Sequence, residues 1–469
     1  MDNRPIMAKT EEPAYISRLR AGRRPPRGHS GPPAPPAATA TVKPKLQEIP
    51  RDFAPKLLDA DAVRVVRRLI DAGHEAYLVG GCVRDLLFGL RPKDFDVATS
   101  ATPSEIRRLF RNCRIIGRRF RLAHVFFRDK VLEVATFRAP LEKNHEAAGN
   151  GLLIRDDNTF GTAKQDAVRR DFTVNGLFYD VQKSVILDYV AGVKDADKKL
   201  LRTIGDPEIR MREDPIRMLR AVRLSSRLGC EIDKKTIKAI ENHAAEVLDA
   251  AAPRIHEDLL RMFAGGAMAP AFDGLISTGL LEVILPELFD HLSHAVNAGD
   301  LDEVEALRAA LRIADRWTQS KRSLEIPVRF ALLLAPVLLT PLDDASRRDS
   351  GGQVADALRP IAQRIALSKR ECERLRQILL ALDKLVPRKK RRRFSVSALI
   401  KRAYFPDALD LFELMTEATG DLREDARRWR QRLEEAFPNG LPEKKKPARR
   451  SPRRRRGGRE AEGKGSRAG

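Results

Sequence analysis

Two short runs decide the fold: Leu78-Val79-Gly80-Gly81-Cys82-Val83-Arg84-Asp85 and, a few residues later, Asp94-Phe95-Asp96-Val97-Ala98-Thr99. Ala76 to Val79 is a brief apolar run closed by two glycines, which reads as a strand ending in a turn. Val83 to Leu87 reads as a helix that stops at Gly89, and Phe95 with Val97 marks a second strand. A glycine pair between a strand and a helix lets a phosphate approach backbone amides, because no Cβ blocks it. Asp94 and Asp96 are two apart on an expected strand, so both carboxylates share one face. Two hard oxygen donors held together suit Mg²⁺. Each half alone is weak, since glycine pairs mostly make turns and surface aspartates are mostly solvated. In this order, between strands, they point to phosphoryl chemistry on a nucleotide.

On the N-terminal side, Leu57, Leu58, Ala62, Val65, Val66, Leu69 and Ile70 have helical spacing and predict a helix over 56–72 that stops at Gly73. On the other side, Pro103 and Ser104 open a helix through Phe110. Val125 to Phe127 and Val131 to Phe137 predict paired strands around Arg128-Asp129-Lys130. Residues 141–164 show no period and are expected to be a loop. From about residue 207 the pattern is almost wholly helical. The expected class is therefore α+β, a mixed head followed by a helical arm.

The chain has 469 residues, 88 Lys+Arg against 65 Asp+Glu, and a formal net charge of +23. A hydrophobic content of 42% excludes a chain disordered throughout. The apolar run Phe330 to Leu339 contains Pro336 and is far shorter than the roughly 20 residues of a membrane span. The start, Met1 to Pro5, has no apolar signal region, and the four cysteines form no CxxC pair, so a reducing cytoplasm is expected. Residues 1–50 hold nine basic and four acidic residues, and residues 442–469 hold twelve and three. Both ends are rich in Pro or Gly, and both are expected to be disordered. Clustered positive charge points to a polyanion, because each phosphate contact releases counterions. Arg388 to Arg393 adds a third basic run.

Three further segments carry chemistry. Arg169-Arg170-Asp171-Phe172-Thr173-Val174-Asn175-Gly176-Leu177 sets two cations beside a carboxylate and an amide. Arg can clamp a triphosphate bidentately, and Asp or Asn can hold a ribose hydroxyl or a metal. The bland alternative is a helix start with an ordinary ion pair. In Glu213-Asp214-Pro215-Ile216-Arg217, Asp214 followed by proline reads as an N-cap. Arg217, Arg220, Arg223 and Arg227 make one cationic helix face, either solvated or reading a purine edge. Gly117-Arg118-Arg119-Phe120-Arg121-Leu122-Ala123-His124-Val125 combines cations with an aromatic, which suits single-stranded RNA. Glu133, on a neighbouring expected strand that could bring it beside Asp94 and Asp96, is a candidate third carboxylate, although a lone strand Glu is more often a solvated edge residue.

Leu78 to Thr99, Arg169 to Leu177 and Glu213 to Arg217 together resemble the signature motifs of class II tRNA nucleotidyltransferases and bacterial poly(A) polymerases. The resemblance covers residues 50–230 closely and continues more loosely to about 435. It implies a polymerase-β-like five-stranded catalytic head at 51–205, a neck at 206–270 that binds nucleotide base and RNA, and a helical body and leg at 271–440. The arms 1–50 and 441–469 flank them. It also implies two Mg²⁺ ions on Asp94 and Asp96, with Asp171 as the third acid. Gly80, Gly81, Arg84, Asp85, Arg170, Asn175, Asp214, Arg217 and Arg220 would serve the incoming nucleotide, and Arg118, Arg119 and Arg121 the RNA. Gly117 to Val125, Asp157 to Thr162 and the basic tail look like the poly(A) branch. That branch takes ATP and single-stranded RNA 3′ ends, and promotes RNA decay. The rival readings are CCA addition to tRNA and a non-catalytic RNA-binding protein that keeps the head. Val174 and Gly176 replace the family's usual Ile and Ala or Ser, and Gly176 is expected to loosen local packing.

Overall fold

The computed structural model describes residues 13–23, 46–117, 121–139, 159–339, 350–387 and 394–441. An apolar stripe recurring at three- and four-residue intervals makes α2 (Ala60–Asp71), whose Ala62, Val65, Val66 and Leu69 are fully buried. Asp59 caps it, accepting from the N–H groups of Asp61 and Ala62 at 2.9 and 3.0 Å. Each of the larger side chains in that stripe contributes roughly 1.5–3 kcal/mol on burial.

The head is a sheet in the order β1-β8-β7-β2-β3-β6-β5-β4. The strands are β1 (Gln47–Pro50), β2 (Ala76–Val79), β3 (Asp96–Thr99), β4 (Cys113–Ile116), β5 (Leu122–Phe126), β6 (Val131–Thr136), β7 (Leu177–Asp180) and β8 (Val185–Asp188). Within this sheet β3 and β6 run parallel and the other pairs are antiparallel. The expected five strands are thus eight. β1 adds beyond β8, and the β4–β5 hairpin extends the opposite side. One face packs Leu78, Val97, Val125, Leu132 and Val134 with α2. The other covers Val79, Ala98, Phe137 and Phe178 with α5 (Ala163–Arg169).

The remaining head helices are α3 (Gly81–Leu87), α4 (Pro103–Leu109) and α6 (Gly192–Asp197), while α1 (Ala14–Arg20) precedes the head and packs elsewhere. Helices then run from α7 (Pro207–Glu213) and α8 (Ile216–Leu228) to Arg423–Ala436, with one two-residue strand at Glu231–Ile232. They form one continuous apolar core, which also takes Phe172, Val174 and Leu201 from the head. Among the described residues no helix is long and apolar enough to cross a membrane.

Residues 1–50 depart from the expected disordered arm in two places. α1 lays its fully buried Leu19 against the Met268–Ser277 and Pro286–Ala298 helices. Tyr15 donates to Glu305 at 2.7 Å and lies under the Arg308 guanidinium, while Arg18 pairs with Glu282. Seven residues are too few to show a period in sequence, so this apolar anchor was hidden among prolines and arginines. β1 pairs with β8 from Gln47↔Asp188 to Pro50↔Val185. The basic runs 388–393 and 442–469, with Arg118 and Arg119, lie outside the described residues.

Candidate active site

Gly80 sits at φ 70°, a backbone that favours glycine, and a Cβ there would lie 2.9 Å from Nη1 of Arg170, which would have to shift. α3 begins at once behind it and buries Arg84 and Asp85 at 6% and 4% exposure. Buried charges are tolerated only when paired, and these are. Arg84 donates to Asp85 Oδ1 through Nε and Nη2, and through Nη1 to Asn175 Oδ1 at 2.7 Å. Asn175 donates to Asp171 Oδ1 at 2.9 Å, and Arg220 of α8 donates to Asp171 Oδ2 at 2.8 Å. Arg227, two turns further along α8, donates to Asp85 Oδ2 at 2.7 Å. The circuit Arg220–Asp171–Asn175–Arg84–Asp85–Arg227 therefore leaves α8, crosses the head and returns to α8.

The carboxylate face lies at the start of β3. The strand begins at Asp96, not Asp94, but exposed Asp94, buried Phe95 and exposed Asp96 alternate just at its start, so both carboxylates stay on the open side. Glu133 on β6 is the cross-strand partner of Asp96. The protein packed around Asp96, then the negative charges of Glu133 and Asp94, push its carboxyl up to about 6, against the pull of Arg170. Asp171 behaves in the opposite way. Burial alone would raise it, but the Arg220 guanidinium and hydrogen bonds from Asn175 and the Phe172 N–H hold it well below the usual carboxylate range. Its oxygens are occupied in tying head to neck. Glu133, ranked below Asp171 in the sequence reading, is the acid that the β3–β6 register sets beside Asp96.

Among the described residues no three His, Cys, Asp or Glu side chains converge into a ready cation cage. Mg²⁺ commonly takes one or two carboxylates and completes its shell with water and substrate phosphate. Exposed Asp94 and Asp96, crowded by like charge, are a donor set that fits that habit.

Arg170 donates to Asp166 Oδ2 at 2.9 Å and lies over the Phe178 ring, which fixes it beside Gly80. Gly176 is tightly enclosed rather than loosening its element: a Cβ would meet Val190 at 2.8 Å and Ile204 at 3.1 Å. Asp214 is not a side-chain cap. α7 ends at Glu213, the Asp214 carbonyl accepts from the Arg217 N–H at 2.9 Å, and its carboxylate pairs with Arg254 at 2.9 Å. Arg217 is buried and donates to the Arg210 carbonyl and Glu213. The expected cationic face of α8 is neutralised, as Arg217, Arg220, Arg223 and Arg227 pair with Glu213, Asp171, Asp258 and Asp85. Arg121 is exposed just before β5. Arg227 joins the site through Asp85, a contact that spacing on one helix does not show.

Residues 76–202 match the family model described as "Poly A polymerase head domain", and residues 229–292 match "Probable RNA and SrmB- binding site of polymerase A". Poly(A) polymerase I of Escherichia coli O6:H1 is 39% identical over 321 residues, covering 66% of this chain and 67% of the relative. Poly(A) polymerase I of Salmonella typhi is 36% identical over 401 residues, 81% of this chain and 84% of the relative. Among solved structures, the Bacillus stearothermophilus CCA-adding enzyme in complex with CTP matches with a TM-score of 0.59 at 26% identity, over 82% of this chain and 83% of that one. The chain therefore belongs to the class II tRNA nucleotidyltransferase and poly(A) polymerase family, and it is a nucleotidyltransferase.

Proposed function

We propose that the enzyme adds AMP from ATP to the 3′ end of single-stranded RNA without a template. The 3′-oxygen attacks the α-phosphorus, the bond from that phosphorus to the β-bridging oxygen breaks, and pyrophosphate leaves. The observation that carries the reading is the carboxylate face at Asp94, Asp96 and Glu133, set close to the Gly80–Gly81 turn. The identity to poly(A) polymerase I relatives supports the adenylyl branch.

Asp94 and Asp96 would hold the two Mg²⁺ ions, with Glu133 as the third acid. Bound there, Mg²⁺ would lower the pKa of the 3′-hydroxyl and neutralise the leaving pyrophosphate. Gly80 and Gly81 leave room for the triphosphate, and Arg170 presents its charge to it. Arg84, Asp85 and Asn175 keep the loop rigid through their mutual bonds. Asp214, Arg217 and Arg220 would serve the base from the neck, held by Arg254, Glu213 and Asp171. Arg118, Arg119, Arg121 and the basic tail would hold RNA, and we place the reaction in the cytoplasm.

CCA addition is the second reading, favoured by the match to the CCA-adding structure. Primer extension separates the two, with ATP or CTP offered singly to an unstructured RNA and to a tRNA lacking its terminal CCA. Long ladders with ATP alone on the unstructured RNA support polyadenylation. Three-nucleotide addition that needs CTP and the tRNA overturns it. No extension of either RNA supports a non-catalytic RNA-binding role. Asp94→Ala and Asp96→Ala should abolish extension with folding and RNA binding retained, and activity in either would refute the metal assignment.

A further inference from the structure

The β6–β5–β4 end of the sheet carries a row of side chains outside the glycine loop and the neck. Asp96 on β3 stands opposite Glu133 on β6, Glu133 opposite His124 on β5, and His124 opposite Arg114 on β4. With strands about 4.8 Å apart, the row runs roughly 14 Å from the carboxylates to the sheet edge. Phe126, two residues beyond His124 on the same face, is 37% exposed. The Arg114 guanidinium lies over its ring at 5.6 Å, and the His124 ring is 6.4 Å away. The alternate residues Cys113, Val125, Leu132 and Val134 point into the core on the opposite face. The open row thus changes from acidic at its catalytic end to cationic and aromatic at its edge.

We infer that this face is a docking track for the terminal nucleotides of a single-stranded RNA, with a base stacked on Phe126 and a backbone phosphate held by Arg114. The inference rests on the reading that the enzyme extends RNA. Three observations select this occupant. An open aromatic ring offers stacking to any base, and the guanidinium beside it offers a phosphate contact. The row is continuous with Asp96, where the 3′-hydroxyl must arrive. The charge gradient also sets direction: without bound cations, backbone phosphates are repelled from the Asp96–Glu133 end and attracted to the Arg114 end, so the terminal ribose is the part that reaches the carboxylates.

The test uses the full chain and a fluorescein-labelled oligoadenylate, with anisotropy read without ATP and with EDTA present. Phe126→Ala should weaken binding at least about fivefold, with the slope of log K against log salt unchanged. Phe126→Tyr should restore it. Arg114→Ala should weaken binding and make that slope shallower by about 0.7, the loss of one single-strand phosphate contact. Both variants should melt with the wild type, because both side chains stand on the open face. In extension assays the KM for RNA should rise while the KM for ATP holds. Unchanged RNA affinity in both variants overturns the track, as does a wild type that does not bind the oligonucleotide. A wild type that binds tightly, loses binding in these variants, but never extends RNA would support the track and refute the polyadenylation reading.

Discussion

Replacing Arg220 with methionine tests whether Asp171 anchors the neck or acts as a catalytic acid. The pair is close, at 2.8 Å, and its side chains are 30% and 10% exposed. Removing one partner of a buried ion pair costs about 3–5 kcal/mol when nothing replaces it. Here Asn175 and the Phe172 N–H still bond Oδ1, and Arg220 is partly solvated. We therefore expect a loss of about 2 kcal/mol, or roughly 4–8 °C in Tm for a unit the size of head plus neck. Asp171→Asn, which keeps shape and loses charge, should cost about 1 kcal/mol. The double variant should cost less than the sum, because it no longer buries an unpaired charge. The pH dependence has a definite sign. The folded carboxyl titrates below its unfolded value, so its stabilisation is complete above about pH 4 and is lost as pH falls further. Arg220→Met lacks that contribution, so its gap to wild type is full at neutral pH and narrows only as pH falls below about 4. Thermal melts by circular dichroism across that range read it out. A variant melting within a degree of wild type, or a gap that ignores pH, would refute the anchor. A collapse of turnover in Asp171→Asn as deep as in Asp94→Ala, at unchanged Tm, would reinstate Asp171 as the third acid.

Asp96 should show the opposite sign. Its carboxyl is raised to about 6, so stability of the metal-free enzyme falls as pH rises from about 4 to 6. Asp96→Asn should then stabilise the metal-free fold more at pH 7.5 than at pH 5, by no more than about 1 kcal/mol given its solvent access; an equal Tm shift at both values contradicts this. Leu19→Ala should cost about 2–4 kcal/mol of α1 docking, and trypsin should then cut at Arg23 faster than in wild type; an unchanged cleavage rate would show that the helix is not held by burial. Deleting residues 442–469 should weaken RNA binding and flatten its salt dependence while ATP binding stays constant. An unaltered salt slope would place the tail out of contact.

The sequence by itself determined the fold class and the chemistry-bearing segments. The glycine pair, the Asp94–Asp96 spacing and the change from mixed to helical patterning are local signals, and local signals survive in one dimension. What only the tertiary structure decided are the partners. Parallel pairing of β3 with β6 brings Glu133 to Asp96 across 37 residues of chain, a register no spacing rule contains. Asp171 read as a site acid by its neighbours in sequence, yet Arg220, 49 residues away, takes its carboxylate. The arginines of α8 read as a free cationic face because helical spacing shows where side chains point, not what meets them. α1 and β1 were concealed for a related reason, since a seven-residue helix and a four-residue strand are stabilised by the surfaces they dock on. Electrostatic energy depends on distance in space, so charges that look solvated or catalytic along the chain acquire their roles only when the fold supplies their counterions.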